Sequence, residues 1–154
     1  GQVIGVSDPF LVQTIAQALS QLGIRRRIVI HGRERLDEGG LGDVNDVAIV
    51  ENQQVSLLEL TAEKLGLTPA PIGDLKGGEV KENADILQAV LQGKGTQAQQ
   101  DVVALNTALA LEVGEAVDGE DFVERCSKGV VIAKEVLKSC EAWKKLEQLG
   151  EFLK

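Results

Sequence analysis

A chain of 154 residues has the size of one domain with one sizeable core, and 44% hydrophobic with 26% charged residues is a globular composition rather than a disordered one. The net charge of −8 argues against an electrostatic grip on nucleic acid or an anionic membrane, while leaving room for a local pocket that takes a phosphorylated metabolite. No apolar run approaches the length of a membrane span and no signal-peptide pattern is present, so the cytoplasm is the expected compartment.

In chain order, Val3-Ile4-Gly5-Val6 reads as a short strand. Asp8 then offers an N-cap and Pro9 a first helical residue. Leu11, Ile15, Ala18, Leu19 and Leu22 follow as the apolar face of a helix that ends at Gly23. Arg27 to His31 is a second strand, closed by Gly32. Strand, helix, strand makes a βαβ unit with parallel strands and a right-handed crossover. Residues 33 to 43 form a charged, glycine-rich loop. Asp46 to Val50 and Gln54 to Leu60 are two more strands around the polar turn Glu51-Asn52-Gln53, a hairpin that makes the sheet mixed. Thr61 is placed to cap a short helix through Lys64, and the proline-bearing stretch from Gly66 to Gly73 is a crossing loop. Four helical patterns follow: Glu79–Leu91 with Ala84, Leu87 and Leu91 on one face, Gln97–Val113, Asp121–Leu137 and Glu141–Leu153. The expected fold class is α/β, a mixed, mainly parallel sheet with helices packed against it. The N-terminal strand calls for neighbours upstream of Gly1, and a first residue other than Met suggests a trimmed or excised segment.

The most informative stretch is His31-Gly32-Arg33-Glu34-Arg35-Leu36-Asp37-Glu38-Gly39-Gly40. It leaves the carboxyl end of a parallel strand, where open α/β sheets bind ligands. Adjacent carboxylates on such a loop can hold Mg²⁺, which takes oxygen ligands and bridges to phosphates; the same pair also suits a plain solvated surface. In Asp74-Leu75-Lys76-Gly77-Gly78-Glu79-Val80-Lys81-Glu82-Asn83-Ala84, paired glycines precede a helix. A helix N-terminus there receives an anion, or Glu79 and Glu82 simply favour the helix dipole. His31 packs or hydrogen-bonds locally, Asn106 is a buried, satisfied polar group interrupting an apolar face, and Trp143 is a packing residue. Arg25-Arg26-Arg27 reads as solvated surface. Cys126 and Cys140 lie fourteen residues apart in the helical half, which on one continuous helix is about 21 Å and beyond disulfide reach. With one His and no C-x-x-C pair, a structural zinc site is not expected, nor is a Ser-His hydrolase built on Ser7 or Ser127.

The order Gly5-Val6-Ser7-Asp8-Pro9, Val29-Ile30-His31-Gly32, Leu36-Asp37-Glu38, Leu75-Lys76-Gly77-Gly78-Glu79, Glu82-Asn83-Ala84 and Leu105-Asn106 resembles the C-terminal part of the anthranilate phosphoribosyltransferase family. The resemblance runs along nearly the whole chain and covers less than half of a typical member. It implies part of the large α/β domain of the nucleoside phosphorylase/phosphoribosyltransferase fold, with residues 1–154 as its C-terminal portion. It implies transfer of phosphoribosyl from phosphoribosyl diphosphate to anthranilate in tryptophan biosynthesis, with Asp37 and Glu38 as Mg²⁺ ligands. His31, Gly32, Gly77, Gly78 and Asn83 are the substrate-side loop candidates. The family's Gly-Thr-Gly-Gly-Asp phosphate loop, its acceptor-binding segments and the helical domain that makes its homodimer have no match here, so the segment alone is expected to be inactive. Arg35 stands where the family usually has Gly, and Gly39-Gly40-Leu41-Gly42-Asp43 replaces a Gly-Pro-Thr turn. Those departures motivate two alternatives: a paralogue acting on another acceptor, and a non-catalytic binding protein retaining the α/β shell.

Overall fold

In the computed structural model, which describes residues 1–23 and 25–154, strand β1 (Gln2–Gly5) leads into helix α1 (Pro9–Ser20). Asp8 is the N-cap, its carboxylate accepting from the Phe10 N–H at 3.0 Å, and Pro9 takes the first turn, where no N–H is needed. The stripe that α1 buries is Val12, Ile15, Ala16 and Leu19. Leu11 and Leu22, assigned to that face from sequence, are exposed, because the i, i+3, i+4, i+7 set beginning at Val12 is the one that meets the sheet.

Strands β2 (Arg26–Gly32), β3 (Asn45–Glu51) and β4 (Gln54–Leu60) complete one sheet in the order β1-β2-β3-β4. The β1–β2 pairing is parallel, while β2–β3 and β3–β4 are antiparallel. The sheet is therefore mixed, as expected, but within the described residues the emphasis on parallel pairing is corrected. Parallel neighbours need a crossover element, and α1 supplies one only between β1 and β2. Strands β3 and β4 meet instead through Asn52 and Gln53, with φ of 50° and 65°. Two successive positive-φ residues are the signature of a type I′ turn, whose twist matches a hairpin.

Helices α2 (Val80–Leu91), α3 (Gln97–Val113), α4 (Phe122–Lys138) and α5 (Glu141–Phe152) follow. Thr96 and Gln99 form a reciprocal capping box at the start of α3, satisfying two N–H groups that the helix leaves free. The two sides of the sheet are divided by the period-2 alternation of strands. Ile28, Ile30, Val47 and Ile49 face Leu105 and Leu109 of α3 and Cys126 and Val130 of α4, whereas Val29, Ala48 and Val50 face α1. Strands β2 and β3 are thus covered on both sides, which accounts for the unbroken apolar run in β2.

Three expectations fail in instructive ways. Thr61 does not cap the short 3-10 turn Glu63–Leu65, which begins after Ala62 without a side-chain cap. In α2, Ala84 is exposed and Leu87 is 51% exposed; only Val90 is buried, so most of this apolar face lines an open cleft instead of the core. The arginine run is not solvated surface. Strand β2 begins at Arg26 and so draws the run into the sheet. Arg27 is fully buried on the α1 side, where its aliphatic stem packs and its Nη1 donates to the Leu19 carbonyl. Arg26 pairs with Glu51 at 2.7 Å, and only Arg25 stands out in solvent.

Both cysteines are free. The chain does break after Lys138, with Cys140 in a left-handed turn (φ 60°) before α5, yet no disulfide results. Burial, then the nearby Glu112 charge, pushes the Cys126 thiol up to about 12. Since the thiolate is the reacting species, a thiol reagent at pH 8 is expected to label Cys140 of the native chain and to reach Cys126 only on unfolding. Equal labelling rates for the two would contradict this packing.

Candidate functional site

The loop joining β2 to β3 leaves the carboxyl end of β2 and folds back on itself at once. Gly32 and Leu36 form an isolated antiparallel bridge, each N–H donating to the other's carbonyl at 3.0 Å. A side chain at position 32 would press on Leu36, on the Glu38 carbonyl and on Asn45, so glycine is needed there. Asp37 and Glu38 come next and are exposed, and Gly39 and Gly40 then turn into the interior. The end of β1 backs onto the same loop: a Cβ on Gly5 would overlap the backbone carbonyl of Asp37.

Around this loop the charges are largely committed. Arg33 donates from Nε and Nη2 to the Asp46 carboxylate at 3.1 and 2.7 Å, and it also bonds Glu59. These bonds raise its pKa further above the ordinary arginine value and leave it engaged with carboxylates. Glu34 accepts from the Gly42 N–H at 2.9 Å, tying the far side of the loop to its start.

Beside Glu38 lies a cleft of about 580 Å³ whose walls are mainly apolar, from Leu36, Ile72, Leu75 and the α2 residues Ile86, Leu87 and Val90, with Lys76, Gly77 and Asn83 among its lining. The structure therefore brings Glu38, Gly77 and Asn83 to one cleft. His31 is turned away and buried, its Nδ1–H donating to the Val6 carbonyl at 2.8 Å, the local role its position suggested. Gly32 lies under the loop rather than in the cleft. Gly78 and Asn83 bind each other: the Asn83 Oδ1 accepts from the Gly78 N–H at 2.8 Å and its Nδ2 donates to the Gly78 carbonyl at 2.9 Å. That exchange closes the entry to α2.

Asn106, expected to be a buried, satisfied polar group, is satisfied but only half-buried: it accepts from the Gly39 N–H and donates to the Gly39 carbonyl, both at 2.9 Å, and donates to the Val102 carbonyl at 3.0 Å. Sequence reasoning missed its counterpart, Asn45. This fully buried residue makes the same exchange with Gly40, accepting from its N–H at 2.7 Å and donating to its carbonyl at 3.1 Å. The only signal available was an asparagine at a strand start opposite a glycine pair.

The donor set at this site fits Mg²⁺. Two adjacent exposed carboxylates offer hard oxygen ligands and leave room for water and phosphate oxygens, which is how Mg²⁺ is usually held. Among the described residues no group of three or more His, Cys, Asp or Glu side chains gathers to form a closed metal cage, the arrangement that a structural zinc ion needs.

Arg35 adopts φ 70°, a conformation that disfavours side chains by about 1–2 kcal/mol. Glycine accepts it at an entropic cost of roughly 0.5–1 kcal/mol. Arg35→Gly is therefore expected to stabilise the chain slightly, by about 0.5 kcal/mol, seen as a higher midpoint in urea. A lower midpoint would show that the arginine side chain contributes more than its backbone costs.

Residues 1–143 match the family described as the glycosyl transferase family, a/b domain. Anthranilate phosphoribosyltransferase 1 of Nostoc sp. is 64% identical over 154 residues, 100% of this chain and 42% of its own length. The anthranilate phosphoribosyltransferase of Synechococcus elongatus is 60% identical over 153 residues, 99% of this chain and 42% of its own. Among solved structures, anthranilate phosphoribosyltransferase from Thermus thermophilus superposes with a TM-score of 0.85 at 35% identity, covering 97% of this chain and 42% of that one. The Saccharomyces cerevisiae enzyme in complex with PRPP and Mg shares the fold, with a TM-score of 0.80 at 23% identity. The chain thus spans less than half the length of the relatives it matches.

Proposed function

The chain belongs to the glycosyl transferase family, a/b domain, and from that premise we propose that it is part of an anthranilate phosphoribosyltransferase. The whole protein would join anthranilate to the ribose of phosphoribosyl diphosphate in tryptophan biosynthesis, releasing diphosphate, and the 154 residues alone would be inactive. The observation that carries this reading is the 64% identity to the Nostoc sp. protein along the full chain. By the same resemblance, the whole protein is a cytoplasmic homodimer assembled through its helical domain. That no helix among the described residues is long and apolar enough to cross a membrane is compatible with that reading.

In this proposal Asp37 and Glu38 hold Mg²⁺. When bound, the ion offsets the negative charge of the departing diphosphate. The carboxylates stay exposed at the end of a parallel strand, and Glu38 faces the cleft, so the pair meets substrate without crossing the core. The bridged pair Gly32–Leu36 and the buried glycines fix the loop's shape before substrate arrives. A transition state in which the ribose carbon carries oxocarbenium character gains most from such prior positioning.

Calorimetric titration of the full protein with phosphoribosyl diphosphate tests this. Saturable binding that requires Mg²⁺ is expected, and metal-independent binding of equal affinity would count against the assigned pair. Turnover of anthranilate by the isolated chain would refute its incompleteness, and selective turnover of a different aromatic amine by the full protein would identify a paralogue.

A further inference from the structure

We propose that Asn106 and Asn45 are positioning residues for Asp37 and Glu38, acting through the backbone of Gly39 and Gly40. The inference rests on the reading of Asp37 and Glu38 as metal ligands and deepens it.

A side-chain carboxamide sets an acceptor oxygen beside an NH₂ group, one of whose two N–H donors points the same way. In each asparagine both are spent on a single glycine, so each holds the two peptide groups that flank that glycine. Asn106 holds the Glu38–Gly39 peptide by its N–H and the Gly39–Gly40 peptide by its carbonyl. Asn45 holds the Gly39–Gly40 peptide by its N–H and the Gly40–Leu41 peptide by its carbonyl. Three consecutive peptide planes after Glu38 are therefore pinned, and the middle one is held from both sides.

The holders are themselves anchored. Asn106 Nδ2 also donates to Val102 one turn earlier in α3, and Asn45 Nδ2 to Leu60 on β4. The glycines allow the close approach: a Cβ on Gly39 would overlap Leu105, and one on Gly40 would press on Glu34 and Leu36. On the other side of the carboxylates, Leu36 is fixed by its bridge to Gly32. Only Asp37 and Glu38 lie between these two fixed points. Their backbone is set by α3 and the sheet, and only their side chains move freely. Ligands of a metal that shares its shell with phosphate gain affinity from such outer support, which typically carries 10- to 100-fold.

The test is a Mn²⁺ titration of the full protein, followed by electron paramagnetic resonance in the presence of phosphoribosyl diphosphate. Asn106→Asp keeps the acceptor for the Gly39 N–H and sets a second oxygen against the Gly39 carbonyl. It is expected to weaken Mn²⁺ binding about tenfold, with the lost turnover recovered at high Mg²⁺ and the KM for anthranilate unchanged. Asn106→Leu, which deletes both bonds, is expected to weaken it further. Leu109→Ala, on the same helix but facing the core, is a control for general destabilisation and should bind Mn²⁺ as wild type does. If Asn106→Leu does not fold, Asn106→Asp alone decides. Wild-type Mn²⁺ affinity in a folded Asn106→Asp protein overturns the proposal, provided that Asp37→Asn with Glu38→Gln abolishes binding. If that double variant also binds normally, the metal reading itself fails and the proposal with it.

Discussion

Converting Asp37 to Asn and Glu38 to Gln together is expected to lower kcat/KM of the full protein by on the order of 10²- to 10³-fold, or about 3–4 kcal/mol of transition-state stabilisation. The size follows from what the proposed reading would remove: both anionic donors to an ion that offsets the leaving diphosphate's charge. Both residues are exposed, so stability should stay within about 0.5 kcal/mol of wild type. A loss of activity unaccompanied by a shift in the unfolding midpoint is therefore the signature. Activity within threefold of wild type, at limiting Mg²⁺, would remove the pair from the site.

The largest effect on folding is expected at Arg125. Glu112 is 1% exposed, and its Oε1 accepts from Nε and Nη2 of Arg125 at 3.1 and 2.9 Å. The other guanidinium nearby, Arg26 Nη1, is 3.6 Å away. Arg125→Ala takes both hydrogen bonds from a buried carboxylate and leaves it only the longer ion pair to Arg26; breaking a buried pair typically costs about 3–5 kcal/mol, and the remaining pair puts the expected loss at the lower end. Against a total stability of about 5–15 kcal/mol for a domain, that is a large fraction. Combining Arg125→Ala with Glu112→Leu should return most of the loss, because no carboxylate is then left buried at that site. Denaturant melts of the two single variants and the double variant measure this coupling directly. A loss under about 1 kcal/mol in Arg125→Ala would mean that water reaches Glu112 once the guanidinium is gone.

The elements that local chemistry decides were legible in the sequence. Asp8-Pro9 can do little but begin a helix, and the polar residues between two strand-forming runs had to turn, which Asn52 and Gln53 do. What was not legible depends on which partner covers a face. The pattern in α2 correctly marks an apolar stripe but says nothing about whether protein or an open cleft lies against it. Three consecutive arginines look solvated because charge dominates composition. Arg27 is buried because strand alternation turns it toward α1, where its long stem can pack. At the site, Asp37 and Glu38 could be singled out as candidates because strand ends and paired carboxylates form a local pattern. Asn106 stood out as a polar break in an apolar helix, but its partner is 67 residues earlier, a distance over which spacing carries no information.

The packing of Gly5 against the Asp37 backbone also sets an order in time. Hairpin β3–β4 joins residues as close as Glu51 and Gln54, whereas β1 must find β2 across pairs such as Gln2 and Arg27. Contacts between distant residues close more slowly than local ones. The carboxylate loop has one wall from the early hairpin side, through Asn45, and another from β1. It cannot take its final shape before that late strand docks, so the metal competence proposed for it should appear as one of the last events of folding, after most of the helix signal has been recovered.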